Sequence, residues 1–288
     1  MIFQVVAEAL LMGSVYALAA LGMTLIFGVM KITNFAHGAI MTVGMYVSYV
    51  SLTYFGLSPY ASLPISAVVV FVLGYLIQRF FIDPIDKEPT HNQLLMTFGL
   101  SIVIENGLLA VFGSDAKSEI FEAYSKSIEL FGIKVNVPRL ISLFVVLAVT
   151  AGIYIFLYKT NTGRGIRATS MNSDGALLMG VVVRKMKALT FGIGALCTGI
   201  AGTLLTPTIN IDPTIGGSFQ LTCFVIVVLG GMGNLMGALI SGLIVGLAQG
   251  LTSFYLGGKW STLVIYVIFI LVLMFKPNGL FERRGRSE

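Results

Sequence analysis

Charge is scarce in this sequence. Asp, Glu, Lys and Arg make up 11% of its 288 residues, less than half of the roughly 25% found in soluble domains. Hydrophobic residues account for 56% and the mean hydropathy is +0.92, which leaves too little solvating surface for a water-soluble globular enzyme. Cysteine is nearly absent: Cys197 and Cys223 both sit in apolar stretches without CxxC spacing, so neither a disulfide framework nor a zinc site is indicated. His37 and His91 are the only histidines. No GxxxxGKS/T phosphate loop, no HExxH and no GxSxG occurs, so no catalytic or metal site emerges and ATP-driven work would fall to another polypeptide. The formal charge of +5 does not point to nucleic acid, because the basic residues fall between apolar runs as membrane topology requires. Without a Pro-rich linker, a low-complexity tail or a second soluble unit, residues 1–288 read as one transmembrane domain.

At about 20 residues per crossing, that apolar content leaves room for roughly eight or nine membrane helices. The apolar runs are residues 5–29, 35–55, 61–81, 93–112, 140–158, 188–206, 219–229, 235–254 and 261–275. The seventh is short and reads either as a crossing or as a re-entrant segment. Two long loops remain: residues 113–139, whose run 128–137 lies flat or pairs as strands, and residues 159–187. One assignment of sides places 13 of the 18 basic residues together and leaves Lys117, Lys126, Lys134, Arg139 and Lys259 opposite. The positive-inside rule then sets the N-terminus outside, the C-terminus and loop 159–187 in the cytoplasm, and loop 113–139 outside. The first 30 residues hold no Lys or Arg, carry Glu8 and stay apolar for long, so a retained helix is expected rather than a signal peptide.

Polar and glycine residues interrupt the apolar pattern at 28–38 and again at 229–234. Such breaks either flank a transporter's substrate site, in which case their presence in both halves hints at an internal repeat, or are ordinary turns at the cytoplasmic surface. His37, beside Asn34 and Gly38, reads first as a hydrogen-bonded structural residue, with proton carrier or substrate donor as the other option. Glu8 and Glu105 are the acidic residues inside apolar runs. Glu8 can snorkel to water, whereas Glu105 is placed to line a cavity or fix helix packing. Neither is expected to pair with a membrane-embedded Lys or Arg, which argues against an ion-coupled carrier. Glycines cluster inside the spans, at Gly192, Gly194, Gly199 and Gly202 and at Gly237, Gly242, Gly246 and Gly250, and small residues three or four apart predict close helix contacts.

Loop 159–187 is the informative segment. Ser173 is a candidate N-cap, Asp174 suits the positive end of a helix dipole, and Gly180 can close a short helix. Its Ala176, Leu177 and Met179 would be exposed, which suits lying on a membrane or docking into a partner's groove. A helix this short is marginal alone, so a partner is the better explanation.

Here a resemblance enters. Ala176-Leu177-Leu178-Met179-Gly180-Val181, followed by Arg184, Lys187 and Leu189-Thr190-Phe191, is similar to the coupling loop of ABC permeases for branched-chain amino acids. Residues 17–28, Asn34-Phe35-Ala36-His37-Gly38, Gly199-Ile200-Ala201-Gly202, residues 224–237 and the ending at residues 275–281 resemble that family in the same order. Two positions depart from it: Ala39 and Gly175 stand where the family often has acidic residues.

The resemblance implies an all-α, multi-pass importer subunit of the bacterial cytoplasmic (inner) membrane, working by alternating access. It would pair with a second homologous permease or a second copy of itself, with two cytoplasmic ABC ATPases, and with an extracytoplasmic substrate-binding protein. It would bind no cofactor, since the ATPases hydrolyse the ATP. Asn172, Ser173, Asp174, Ala176, Leu177, Leu178, Met179 and Gly180 would form the coupling helix. Asn34, Phe35, His37 and Gly38, with Gln220 and Thr222 behind them, are the candidate substrate-pathway residues. Other amino acids, urea or small amides compete as substrates within the family. A self-sufficient secondary carrier or channel, and more remotely a membrane-embedded enzyme, compete from outside it.

Overall fold

The computed structural model describes residues 2–86, 88–118, 127–130, 133–277 and 279–281. Lys87, Lys126, Arg283, Arg284 and Arg286 of the charge pattern, and Asn278 of the family ending, lie outside them. In chain order the helices are α1 (Ile2–Met30), α2 (His37–Phe55), α3 (Leu63–Ile77), α4 (Thr90–Phe112), α5 (Val137–Lys159), α6 (Asn161–Met171), α7 (Ser173–Leu178), α8 (Val183–Leu205), α9 (Gly216–Gly230), α10 (Leu235–Leu256) and α11 (Gly258–Phe275). A π-helical turn, Gln78–Ile82, and a 3-10 turn, Asp83–Ile85, prolong α3. Among the described residues eight helices are long and apolar enough to cross a membrane. The protein is a multi-pass, all-α membrane protein.

Of the two readings of the run 128–137 the structure shows the strand pairing: β1 (Ser127–Leu130) and β2 (Ile133–Asn136) are antiparallel, while α5 already begins at Val137, so Arg139 is helical. Residues 159–187 are largely helix, in α6, α7 and the start of α8. The seventh apolar run becomes α9, whose 15 residues span about 22 Å at 1.5 Å per residue, short of a hydrocarbon core of about 30 Å.

Helices α1 and α8 form the centre: 83% of the apolar window of each is buried, against 11% in α4 and α11 at the periphery. They run antiparallel, with Gly22 against Gly194 and Ala19 level with Thr198. Only hydrogen separates the backbones at Gly22, where a Cβ would overlap the Gly194 carbonyl. Lipid supplies no hydrophobic drive between helices, so this close approach gives the dispersion contact that holds them.

The bundle is built twice. Gly242 of α10 meets Ala17 of α1, and Gly74 of α3 meets Ala195 of α8. Ahead of α2, Asn34 Oδ1 accepts from Ala36 N at 3.0 Å and Asn34 O from His37 N at 3.4 Å. Ahead of α9, Asp212 Oδ1 accepts from Thr214 N at 3.0 Å and Asp212 O from Ile215 N at 3.3 Å. Ala17 and Ala195, Asn34 and Asp212, and Gly38 and Gly216 share one separation along the chain. Since α1 and α8 are antiparallel, the two halves are inserted in opposite senses, an inverted repeat.

This corrects the pairing of breaks expected from composition. The counterpart of residues 31–36 is 206–215. Residues 231–234 form an ordinary turn, where Gly231 and Gly233 take positive φ, Asn234 Oδ1 caps α10 at Gly237 N (3.1 Å), and Leu280 N donates to Leu229 O at 2.8 Å.

Candidate functional site

Helix α1 stops at Lys31, which is exposed and takes φ 54°. A non-glycine residue tolerates that left-handed conformation at a cost, and it turns the chain out of the helix. Residues 32–36 then run back along α1. His37, first residue of α2, reaches the carbonyl of Ala19 with Nε2 at 3.0 Å. Ala19 lies eleven residues before Met30 in α1, about 16 Å along the axis, so α2 begins in the middle of the bundle.

Four of the six sequence-derived pathway residues meet there. Gln220 of α9 donates from Nε2 to Asn34 O at 3.1 Å and accepts from Gly38 N at its Oε1 at 2.7 Å. His37 is buried, and Thr198 Oγ1 lies 3.1 Å from its Nε2 while donating to Gly194 O at 2.9 Å. Gly38 and Gly216 touch through their backbones, where a Cβ on either would overlap the other's carbonyl. The N-termini of α2 and α9 therefore face each other, and one amide side chain stitches them together. Asn34 Nδ2 is buried with no partner among the described residues.

Phe35 joins only through its backbone, donating to Thr97 Oγ1 of α4 at 3.2 Å, with its ring partly exposed. Thr222 does not join: it is half-buried and its hydroxyl donates to Ser218 O of its own helix at 3.1 Å. Ala19, Thr97, Thr198 and Gly216 complete the cluster, and sequence reasoning missed them. Asp212-Pro213-Thr214 followed by Gly216-Gly217 was the available signal for the second break, since Asp bonding two residues on is a turn device.

At the far end of the bundle, α7 is capped by Asn172 rather than by Ser173. Asn172 Oδ1 accepts from Gly175 N at 2.9 Å, while Ser173 is the first helical residue and its hydroxyl donates to Thr169 O at 3.2 Å. Gly180 takes φ 80°, and Val181 N donates to Ala176 O at 3.0 Å, a left-handed C-terminal closure. Exposure also departs from the expected set: Ala176 is buried, and Leu177, Leu178 and Met179 are exposed, at 62%, 87% and 84%. Ion pairs brace this region. Asp83 binds Arg184 at 2.7 Å and Arg79 at 3.2 Å, and Asp86 holds Lys187 at 2.7 Å, tying the prolonged end of α3 to the first turns of α8.

The two carboxylates within apolar runs fare differently. Glu8 pairs with Arg139 of α5 at 2.9 Å, contrary to the expectation of no helical basic partner, because α5 starts earlier than the hydropathy suggests. Glu105 lies half-exposed on peripheral α4.

The chain is similar to known proteins over nearly its whole length. The sequence profile of a family described as branched-chain amino acid transport system / permease component matches residues 5–273. The high-affinity branched-chain amino acid transport system permease protein BraD of Pseudomonas aeruginosa is 28% identical, covering 97% of this chain and 95% of its own. The probable branched-chain amino acid transport permease protein LivH of Methanocaldococcus jannaschii is 32% identical over 96% and 91%. The permease protein LivM of Escherichia coli is 22% identical over 92% and 67%.

Proposed function

Because the chain belongs to the family of branched-chain amino acid transport system permease components, we propose that it is the transmembrane subunit of an ATP-driven importer of branched-chain amino acids. Residues 1–288 act as one permease domain in the cytoplasmic (inner) membrane, with α7 on the cytoplasmic side and the hairpin outside. The sequence supports that orientation, since 13 of 18 basic residues fall on the α7 side. A homologous permease or a second copy completes the channel, two ABC ATPases hydrolyse the ATP, and an external binding protein delivers substrate. The similarity to both LivH-type and LivM-type permeases favours a second homologous subunit.

One observation carries the coupling role: three exposed apolar side chains, Leu177, Leu178 and Met179, stand on a helix closed at both ends by its own caps. A six-residue helix does not survive alone in water, and such a tip suits a groove on another protein. ATP-driven closure of the ATPases pushes on Asn172 to Gly180. The push passes along α8 and, through Asp83–Arg184 and Asp86–Lys187, into α3, swinging the two inverted halves between outward- and inward-open states. The cluster around Asn34, His37, Gly38 and Gln220 sits where those halves meet and lines the substrate pathway.

Pull-down of the tagged chain in mild detergent should recover one or two ATPases and a second permease. A Leu178→Asp or Gly180→Arg chain, still inserted, should lose ATP-dependent uptake of branched-chain amino acids. Full uptake by either variant refutes the coupling role, and a chain that purifies alone and transports in liposomes on an ion gradient refutes the importer.

A further inference from the structure

A pocket of about 300 Å³ lies between the prolonged end of α3 and the first turn of α8, at the end of the bundle that carries α7. Its lining is Tyr75, Arg79, Val182, Arg184, Lys185 and Ala188. Three of these are cations and none is an anion. Asp83, outside the lining, answers only part of that charge. Its Oδ2 atom alone takes both guanidiniums, Arg184 at 2.7 Å and Arg79 at 3.2 Å, and its side chain is 5% exposed. The side chains of Arg79 and Arg184 stay 48% and 66% exposed. Lys185 is exposed and forms no ion pair among the described residues. Three cations against one carboxylate leave a net charge of +2.

The backbone adds to it. Arg184 and Lys185 stand in the first turn of α8, the positive end of its dipole, where cations are disfavoured. No side chain caps that helix, so its first amides are open to an anion. Fold stability gives Lys185 no reason to be there. The approach to the pocket, by contrast, is apolar. Ile65, Val68 and Val72 of α3 are exposed, at 41%, 62% and 46%, and steps of three and four residues continue the same helix face to Tyr75 and Arg79. An apolar stripe about 10 Å long thus runs straight into a cationic pocket.

We propose that this pocket holds the phosphate of an anionic phospholipid, whose acyl chain lies along Val72, Val68 and Ile65. The phosphate oxygens accept from Lys185 Nζ and from the guanidinium edges that Asp83 leaves free. Tyr75 stands at headgroup level, where interfacial tyrosines collect. A headgroup without a cation of its own is preferred, because the choline or ethanolamine of a zwitterionic lipid would meet three like charges. A free phosphate matches the cations but leaves the stripe uncovered, so the lipid fits more of the surface. Once seated, the lipid clamps α3 to α8 at the joint that Asp83 and Arg184 already make. The site depends only on the membrane-spanning fold, not on what the chain transports.

The test is native mass spectrometry of the purified full-length chain in detergent, titrated with phosphatidylglycerol or with phosphatidylcholine of the same acyl chains. Tighter binding of phosphatidylglycerol is expected. Lys185→Gln should weaken it about fivefold, the loss of one surface charge, and Lys185→Glu roughly thirtyfold, the loss of two. Neither change breaks an ion pair among the described residues, so both should keep the wild-type unfolding midpoint. Lys159→Gln, which removes a cation from the end of α5, should leave the affinity unchanged and so separates the pocket from general attraction to a basic face. Inorganic phosphate at tenfold excess over the lipid should not displace it. Equal binding of the two lipids, equal losses in Lys159→Gln and Lys185→Gln, or unchanged affinity in Lys185→Glu overturns the site. Displacement by inorganic phosphate assigns the pocket to the free anion and overturns the lipid. Unchanged lipid binding in Lys185→Glu, together with loss of ATPases from the detergent pull-down, gives the pocket to a protein partner instead. The wild-type comparison of the two lipids needs no variant to fold.

Discussion

Replacing Gln220 by Leu tests whether the central stitch holds the two halves together. The side chains are similar in size, so the change removes two hydrogen bonds, of 3.1 and 2.7 Å, and leaves little cavity. Side-chain hydrogen bonds between membrane helices average about 0.6 kcal/mol and reach about 1.7. The change also strands Asn34 O and Gly38 N, and a buried backbone group without a partner costs about 1–3 kcal/mol. His37 N still approaches Asn34 O at 3.4 Å, so the Asn34 side of the loss is the smaller. A destabilisation of about 2–4 kcal/mol follows, which is more than tenfold in the folded-to-unfolded ratio. Gln220→Glu should lose less, because it keeps an acceptor for Gly38 N at the positive end of α2 and loses only the donor. The assay is unfolding in mixed detergent and dodecyl sulfate micelles, followed by circular dichroism. A Leu variant within about 0.5 kcal/mol of wild type, the ordinary range for inconsequential substitutions, would refute the account of the stitch.

Asn172→Ala removes the cap of α7, worth about 1 kcal/mol, so amide exchange of residues 175–178 should quicken several-fold, while Asn172→Asp should leave it near wild type. Lys187→Met strands Asp86 in a part-buried setting and should cost about 1–3 kcal/mol, between the values for exposed and buried pairs; the exchanged pair Asp86→Lys/Lys187→Asp should regain part of it in the same unfolding assay. Gly22→Ala forces a methyl onto the Gly194 carbonyl and should lower the thermal unfolding midpoint by several degrees. Gly107→Ala meets nothing within 4 Å and should leave the midpoint unchanged or raised, since Ala is the better helix former.

Much of the fold was legible because hydropathy alone dictates where helices lie in a bilayer. Eight of the nine apolar runs correspond to helices long enough to cross, and the doubtful one became the short α9. The glycine series predicted contacts that the structure places at Gly194, Gly242 and Gly246. Illegible features were those set by tertiary pairing. Arg139 looked like a loop residue because Val137 and Pro138 give too brief an apolar signal to mark a helix start. Ala176, expected to be exposed, is buried, because a helix so short has no periodicity to read. The second central break hid in a stretch, residues 206–215, whose polar residues resemble any external loop, and only its pairing with Asn34 reveals its place.

That second break constrains how the chain can be made. A translocation channel releases segments into lipid one at a time, and α9 is too short to be released as a crossing. Its Gln220 side chain finds partners on α2 and on the loop after α1, and Ile211 ahead of it pairs its backbone with Lys117 beyond α4. Those partners are all synthesised earlier. The first half must therefore be folded and waiting as a mould when α9 emerges, and α10 then closes over it against α1. Biogenesis of this bundle is ordered from its N-terminal half, and a chain lacking that half has nowhere to put its later one.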